Sequence, residues 1–309
     1  MIASLQRCWV VLALAAALAW CGWCWQRSLG LGWYLPGLLL TLAPQAPLLA
    51  LEFLLLASLG RDTRVPPPGF GQLLRAWAGE LLAFWRVFAW RQPFAADRER
   101  DVPGQPGRSG VLLLHGYGCN RGLWTPWLRR LRELGVPCTA LTLEPAFGSI
   151  DRCLPAVDAA VLDLTRRTGR APLLVGHSMG GLVARAWLAA QPDPTAADAR
   201  VLAVVTIGTP HQGTWLARVG TGTNVRQMQR GSDWLAALAA REAPQRLARF
   251  TCFYGHADNV VLPASSAMLE GADNRHLDGV AHVQMVFVPA VFDEVLCLVG
   301  ALRRDAGLH

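Results

Sequence analysis

Gly176-His177-Ser178-Met179-Gly180 is a G-x-S-x-G run, and its flanks decide how the chain folds. Upstream, residues 172–176 form a short apolar stretch that reads as a buried strand. Downstream, residues 182–190 carry helical spacing. A serine at such a strand-to-helix turn is thrust out at the strand's C-terminal end. Flanking glycines avoid clashes across the tight turn, and the N-terminus of the following helix favours developing negative charge. In that context Ser178 reads as a nucleophile rather than as a bland loop residue.

The alternation continues outward from this turn. Val111-Leu112-Leu113-Leu114-His115 is an apolar run ending in a Gly-rich turn, which suits a buried parallel strand. Residues 124–134 and 151–167 read as helices and residues 136–143 as the strand between them. Residues 201–207 and 250–254 read as further strands, and 289–303 as a closing helix. Strands alternating with helices predict an α/β fold with a mostly parallel sheet and helices on both faces. The sequence carries no internal repeat and no low-complexity tract.

Three segments taken together resemble the α/β-hydrolase family, bacterial lipases and esterases in particular. They are His115-Gly116-Tyr117-Gly118, residues 176–182, and Thr206-Ile207-Gly208-Thr209-Pro210-His211-Gln212-Gly213-Thr214. Gln227-Met228 with Gly231-Ser232, and the stretch from Asp258 to His282, match more weakly. The resemblance spans residues 110–303 and leaves out the N-terminal third. It implies the α/β-hydrolase fold, a triad in the chain order Ser, acid, His, and a reaction without cofactor. Some lipases of this type hold a structural calcium. Asp273 and Asp278 could offer oxygens, but no convincing cage is present, so no metal is expected.

A serine hydroxyl needs a base, and the base needs an orienting acid. Downstream candidates for the acid are Asp233, Asp258, Asp273 and Asp278. Asp258 is preferred because it follows a strand within Gly255-His256-Ala257-Asp258-Asn259-Val260-Val261, which resembles the family's acid loop. Asp233 reads as part of a surface helix, Asp273 and Asp278 as solvated loop carboxylates. For the base, His282 resembles the histidine of a G-x-x-H loop, with Ala281 where Gly is more usual; His256 and His276 read as ordinary loop histidines. His177 is expected to be buried and structural, and His115 to shape the turn that follows it. The oxyanion donors would be the amides of Met179 and Tyr117, and the Tyr117 ring is a candidate wall of an acyl pocket. Residues 214–247, helical over 224–240, would form a small cap.

The expected function is hydrolysis of carboxylic esters, lipid or fatty acyl esters above all, through an acyl-enzyme. A thioesterase or acyltransferase with the same triad is the alternative, and a non-enzymatic membrane scaffold on a hydrolase fold is a third. An intact triad with its oxyanion turn argues against the scaffold, which has no need of either.

The 309 residues are 52% hydrophobic, and the surplus lies in the first sixty. Residues 8–25 form an apolar run just long enough to span a hydrocarbon core. A second run, 33–59, contains Pro36, Pro44, Pro47 and Glu52, so it reads as a kinked span or a re-entrant segment. Trp20, Trp23, Trp25, Trp33 and Tyr34 gather near the connection, as in an interfacial aromatic belt. The expected organisation is a membrane-anchoring helical hairpin over 1–60, an amphipathic helix (70–90) and linker over 61–109, and the catalytic domain over 110–309. Few positive charges lie in the connection (Arg27) and more follow the second run (Arg61, Arg64, Arg75). The positive-inside rule then gives a two-span protein of a bacterial inner membrane with its catalytic domain in the cytoplasm.

The net charge is +7, carried entirely by arginine. Arginines near the apolar region suit anionic lipid head groups. No basic stripe interleaved with aromatics crosses the globular part, which excludes nucleic acid as a partner. The partners expected are an ester or lipid substrate and membrane lipid. The eight cysteines form no zinc-like pair in the globular part and read as buried free thiols. Cys21-Gly22-Trp23-Cys24 has redox-motif spacing but lacks a βαβ context.

Overall fold

The computed structural model describes residues 1–301 except 61, 192 and 193. Six strands, β1 (Val111–Leu114), β2 (Cys138–Ala140), β3 (Leu173–His177), β4 (Val204–Ile207), β5 (Phe250–Gly255) and β6 (Asp273–Leu277), form one sheet in the order β2-β1-β3-β4-β5-β6. Every neighbouring pair is parallel. Side chains alternate faces along a strand, and both faces here are covered. Leu112 and Leu114 of β1 and Leu174 of β3 enter one core with the helices Leu154–Thr168 and Met179–Ala189. Val111, Leu113, Leu173 and Val175 enter the opposite core with Thr125–Glu133 and Pro289–Leu298. Burial on both sides explains why these strands read as unbroken apolar runs.

The expected strands and helices are found within a few residues of their predicted ends. The helix after Ser178 starts at Met179 rather than near Leu182. The closing helix ends at Leu298, and the C-terminal part of its expected range, residues 302 and 303, lies outside the described residues, as does Arg61. β6 departs from expectation, since Asp273 lies on it rather than in a loop. Asp273-Asn274-Arg275-His276-Leu277 has no apolar alternation, because it is the edge strand and only Leu277 is buried.

The N-terminal region contains α1 (Ile2–Gln26), α2 (Tyr34–Leu42), α3 (Gln45–Leu59) and α4 (Phe70–Phe84). At 1.5 Å per residue α1 is about 37 Å long. It is apolar and little buried, and it is long enough to cross a membrane. The second apolar run is bent: its two halves, Leu31–Leu42 and Gln45–Ser58, meet at 66°, where Ala43 and Pro44 interrupt the helix. The helix expected over 70–90 passes from α4 into a π-helical stretch, Trp85–Arg91.

α3 and α4 pack against the body of the sheet domain. Phe53 and Leu56 of α3, with Ala76 of α4, share a small core with Ala257, Leu262 and Ala281. Those last three belong to the loops after β5 and β6. α1 in turn lies against the segment after α4, with Trp9 edge-on to Phe84 and Gln6 donating to Gln92. All eight cysteines are free thiols.

Candidate active site

The turn between β3 and its helix is as tight as the sequence demands. Ser178 adopts φ 55°, ψ −125°, a conformation costly for a residue with a Cβ. A Cβ on Gly176 would stand 2.4 Å from the Gly181 nitrogen, and one on Gly180 2.2 Å from the Leu114 oxygen. The strain is held because the Ser178 amide donates to the Ile207 carbonyl at 2.9 Å and both flanking elements are buried.

Asp258 and His282 lie beyond the C-terminal ends of β5 and β6, both almost wholly buried. His282 Nδ1 is 3.0 Å from Asp258 Oδ2. The other carboxylate oxygen accepts from the amides of Val260 (2.8 Å) and Val261 (2.9 Å), so Asp258 is fixed on both sides. Burial alone would lower the His282 pKa. The charge and hydrogen bond of Asp258, then the charges of Glu80 and Glu52, outweigh it and hold the imidazole above its ordinary value. Ser178 and His282 line one cavity of about 280 Å³, together with Gly116 and Tyr117. No hydrogen bond joins the two side chains directly; such bonds commonly tighten only when substrate is bound.

The donors expected for an oxyanion lie beside Ser178. Met179 is the first residue of its helix, so its amide has no acceptor within the helix. Gly116 stands so close that a Cβ there would be 2.8 Å from the Ser178 Cβ. Tyr117 lines the cavity, and its hydroxyl donates to the Thr221 carbonyl. His115 shapes this turn as expected: its Nε2 accepts from the Leu143 amide and its Nδ1–H donates to the Gly116 carbonyl, each at 2.8 Å. Burial lowers its pKa to about 4, so the ring is neutral.

The rival residues lie apart from this arrangement. The rings of His256 and His276 pack at a tilt with centroids 4.7 Å apart, and His256 Nε2 accepts from the Gly279 amide. Asp233 opens the helix Asp233–Ala239. Asp273 pairs with Arg275, and Asp278 accepts from Gln72. His177 is buried beside the site, its ring 4.7 Å from that of His282, and its Nε2–H donates to the His282 carbonyl. Burial first, then His282, keep it well below its ordinary pKa. Among the described residues no group of three or more His, Cys, Asp or Glu is arranged to hold a metal ion.

What sequence reasoning missed is the part played by the N-terminal helices. A second cavity of about 320 Å³ also reaches Ser178, and its walls are almost entirely apolar. One wall is the expected cap, with Leu216, Val225 and Met228; the cap is two short helices, Thr223–Gln227 and Asp233–Ala239, rather than one. The facing wall is α3, with Leu48, Leu51 and Leu55. Two carboxylates from the same region also approach the loops. Glu52 accepts from Asn259 at 2.6 Å, and Glu80 accepts from the amides of Val283 and Gln284. Burial pushes the Glu80 carboxyl up to about 7, against the pull of those amides and of His282. The available signal was a lone carboxylate within an otherwise apolar run.

Residues 111–305 match the family described as the alpha/beta hydrolase family. Among solved structures, the mature lipase BlEst2 of Bacillus licheniformis superposes with a TM-score of 0.52 at 18% identity, over 61% of this chain and 94% of that one. Lipase B of Aspergillus fumigatus superposes with a TM-score of 0.55 at 19% identity, over 69% and 60%. At these identities the likeness is one of fold. No curated protein matches the chain.

Proposed function

This chain belongs to the α/β-hydrolase family, and from that premise we propose that it cleaves carboxylic esters of hydrophobic acyl groups, lipid esters foremost, with Ser178 as nucleophile, His282 as base and Asp258 as orienting acid. The observation that carries the reading is the Asp258–His282 pair, with His282 sharing one cavity with Ser178 while Ser178 also opens onto a second, apolar one. Ser178 Oγ attacks the ester carbonyl while His282 Nε2 takes its proton. Asp258 keeps the imidazole proton on Nδ1 and stabilises the imidazolium. The amides of Met179 and Tyr117 stabilise the oxyanion, each donor of this kind being worth about 10²–10³ in rate. His282 then protonates the leaving alcohol, and water repeats the sequence on the acyl-enzyme.

The apolar cavity is the acyl site of this reading. Its mouth carries Leu48, Leu51 and Val219, each more than half exposed, which suits a lipid drawn from a membrane surface. α1, paired with α2, anchors the protein in a bacterial inner membrane while α3 packs on the catalytic domain, and Arg64 and Arg75, against Arg27 alone in the connection, favour a cytoplasmic catalytic domain. The test is a series of p-nitrophenyl esters with the solubilised full chain. Each added CH₂ is worth about 0.8 kcal/mol, so kcat/KM is expected to rise by up to about fourfold per methylene until the cavity is filled. A flat or falling series would remove the acyl site. Glyceride, phospholipid and acyl-thioester turnover in parallel separates a lipase from a thioesterase.

Gly208 tests the pair from behind. Its φ is +55°, and a Cβ there would stand 3.1 Å from His282 Nδ1 and 3.2 Å from Asp258 Oδ2. Gly208→Ala is therefore expected to lower kcat/KM by roughly 10²-fold, the scale of a misplaced catalytic group, with circular dichroism reporting whether the fold is kept. Wild-type kinetics in a folded Ala variant would show that this close packing does not matter.

A further inference from the structure

Two carboxylates from the N-terminal helices hold three consecutive amides of the histidine loop, Glu80 directly at two of them and Glu52 through Asn259 at the third. The His282 amide donates to Asn259 Oδ1 at 3.3 Å, and Asn259 Nδ2 donates to Glu52 on α3 at 2.6 Å. The Val283 amide donates to both oxygens of Glu80 on α4, at 2.9 and 3.1 Å, and the Gln284 amide to one of them at 3.0 Å. Glu80 is 3% exposed and lines the same cavity as Ser178 and His282. We propose that Glu80 is a positioning residue for His282, so that the working catalytic unit extends into the N-terminal third of the chain. This rests on the reading of Ser178, Asp258 and His282 as a triad.

Anchoring one amide would need only a neutral acceptor. Receiving two amides on one side chain, with both oxygens turned to donors, suits an acceptor-only carboxylate. Apolar packing of α3 and α4 against Ala257, Leu262 and Ala281 brings the carboxylate there. With its carboxyl raised to about 7, Glu80 is the anion on the plateau above that pH, and there its charge also bears on the chemistry. Asp258, Glu80, Glu52 and the neutral ring of His177 are the titratable groups facing His282. A second carboxylate beside Asp258 raises the basicity of the imidazole and favours the imidazolium that forms during attack. Glu80 thus fixes the backbone of the loop and adds negative potential at the ring it carries.

The experiment is the pH profile of kcat/KM for a short p-nitrophenyl ester, with the full chain in detergent. The acid limb reports protonation of the free enzyme's base. In Glu80→Gln the plateau is expected to fall roughly tenfold and the acid-limb midpoint to move down by about half a pH unit or more. Glu80→Asp, which keeps the charge, is expected to keep the midpoint nearer the wild-type value. A folded Gln variant that loses rate equally at every pH, with the midpoint unmoved, overturns the proposal, because a merely structural support behaves that way. If Gln does not fold, Glu80→Met and Glu80→Asn carry the same expectation. Failure of all three neutral variants to fold, with Asp folded and active, makes Glu80 structural only and also overturns it. Ser178→Ala runs alongside: if it keeps activity, the triad reading has failed, whichever way the Glu80 variants behave.

Discussion

Ser178→Ala is expected to lower kcat/KM for p-nitrophenyl ester cleavage by roughly 10⁴–10⁶-fold, with the fold unchanged. The substitution removes one oxygen. It leaves the strained turn, the neighbouring helix and the buried contacts of the Cβ as they are. Binding and the oxyanion donors survive, so a residual rate above that in water should remain. The measurement is steady-state kinetics of the two proteins at equal concentration, with circular dichroism as the control for folding. Cleavage at the wild-type rate would take Ser178 out of the mechanism.

Asp258→Asn is expected to cost about 10⁴-fold in kcat, although the two side chains are nearly the same shape. Asp258 accepts three hydrogen bonds, two from the amides of Val260 and Val261 and one from His282. Asparagine has one acceptor oxygen and one donor group. If its oxygen stays on the two amides, its NH₂ faces His282 Nδ1 and forces the imidazole proton onto Nε2. That nitrogen then meets Ser178 as a donor and has nowhere to accept the hydroxyl proton. Wild-type kcat in a folded Asn variant would show that the proton on Nδ1 is of no consequence.

How far the sequence could be read depended on burial. β1, β3 and β4 are apolar on both faces and bounded by turns, so their composition alone marks them. β6 is polar because it lies at the sheet's edge, and only its pairing with β5 makes it a strand. The helix after Ser178 begins three residues before its expected start, which Gly180 and Gly181 conceal by their poor helix propensity; the close approach of Gly180 to Leu114 is what requires a glycine there. The single cap helix expected over 224–240 is divided at Gly231, φ +73°, with Ser232 capping the second half.

Around the site, the motif residues and their order were legible because they lie on short loops at strand ends, where the fold leaves little choice of position. The contribution of α3 was not. An apolar helix has the same composition whether it faces lipid or covers a cavity, and period alone does not tell the two apart. Glu52 and Glu80 carried the missing information. Each interrupts an apolar face at a position where a span or a packing helix gains nothing from a carboxylate, and each finds its partners in loops about 200 residues further along the chain.

The most direct measurement is covalent labelling of the intact wild-type protein with a fluorophosphonate, followed by peptide mass spectrometry. One phosphonyl adduct per chain on Ser178 is expected, formed fast in the wild type and slowed by orders of magnitude in His282→Ala. No adduct, or an adduct on another serine while Ser178 stays free, would contradict the assignment of the nucleophile and the mechanism built on it.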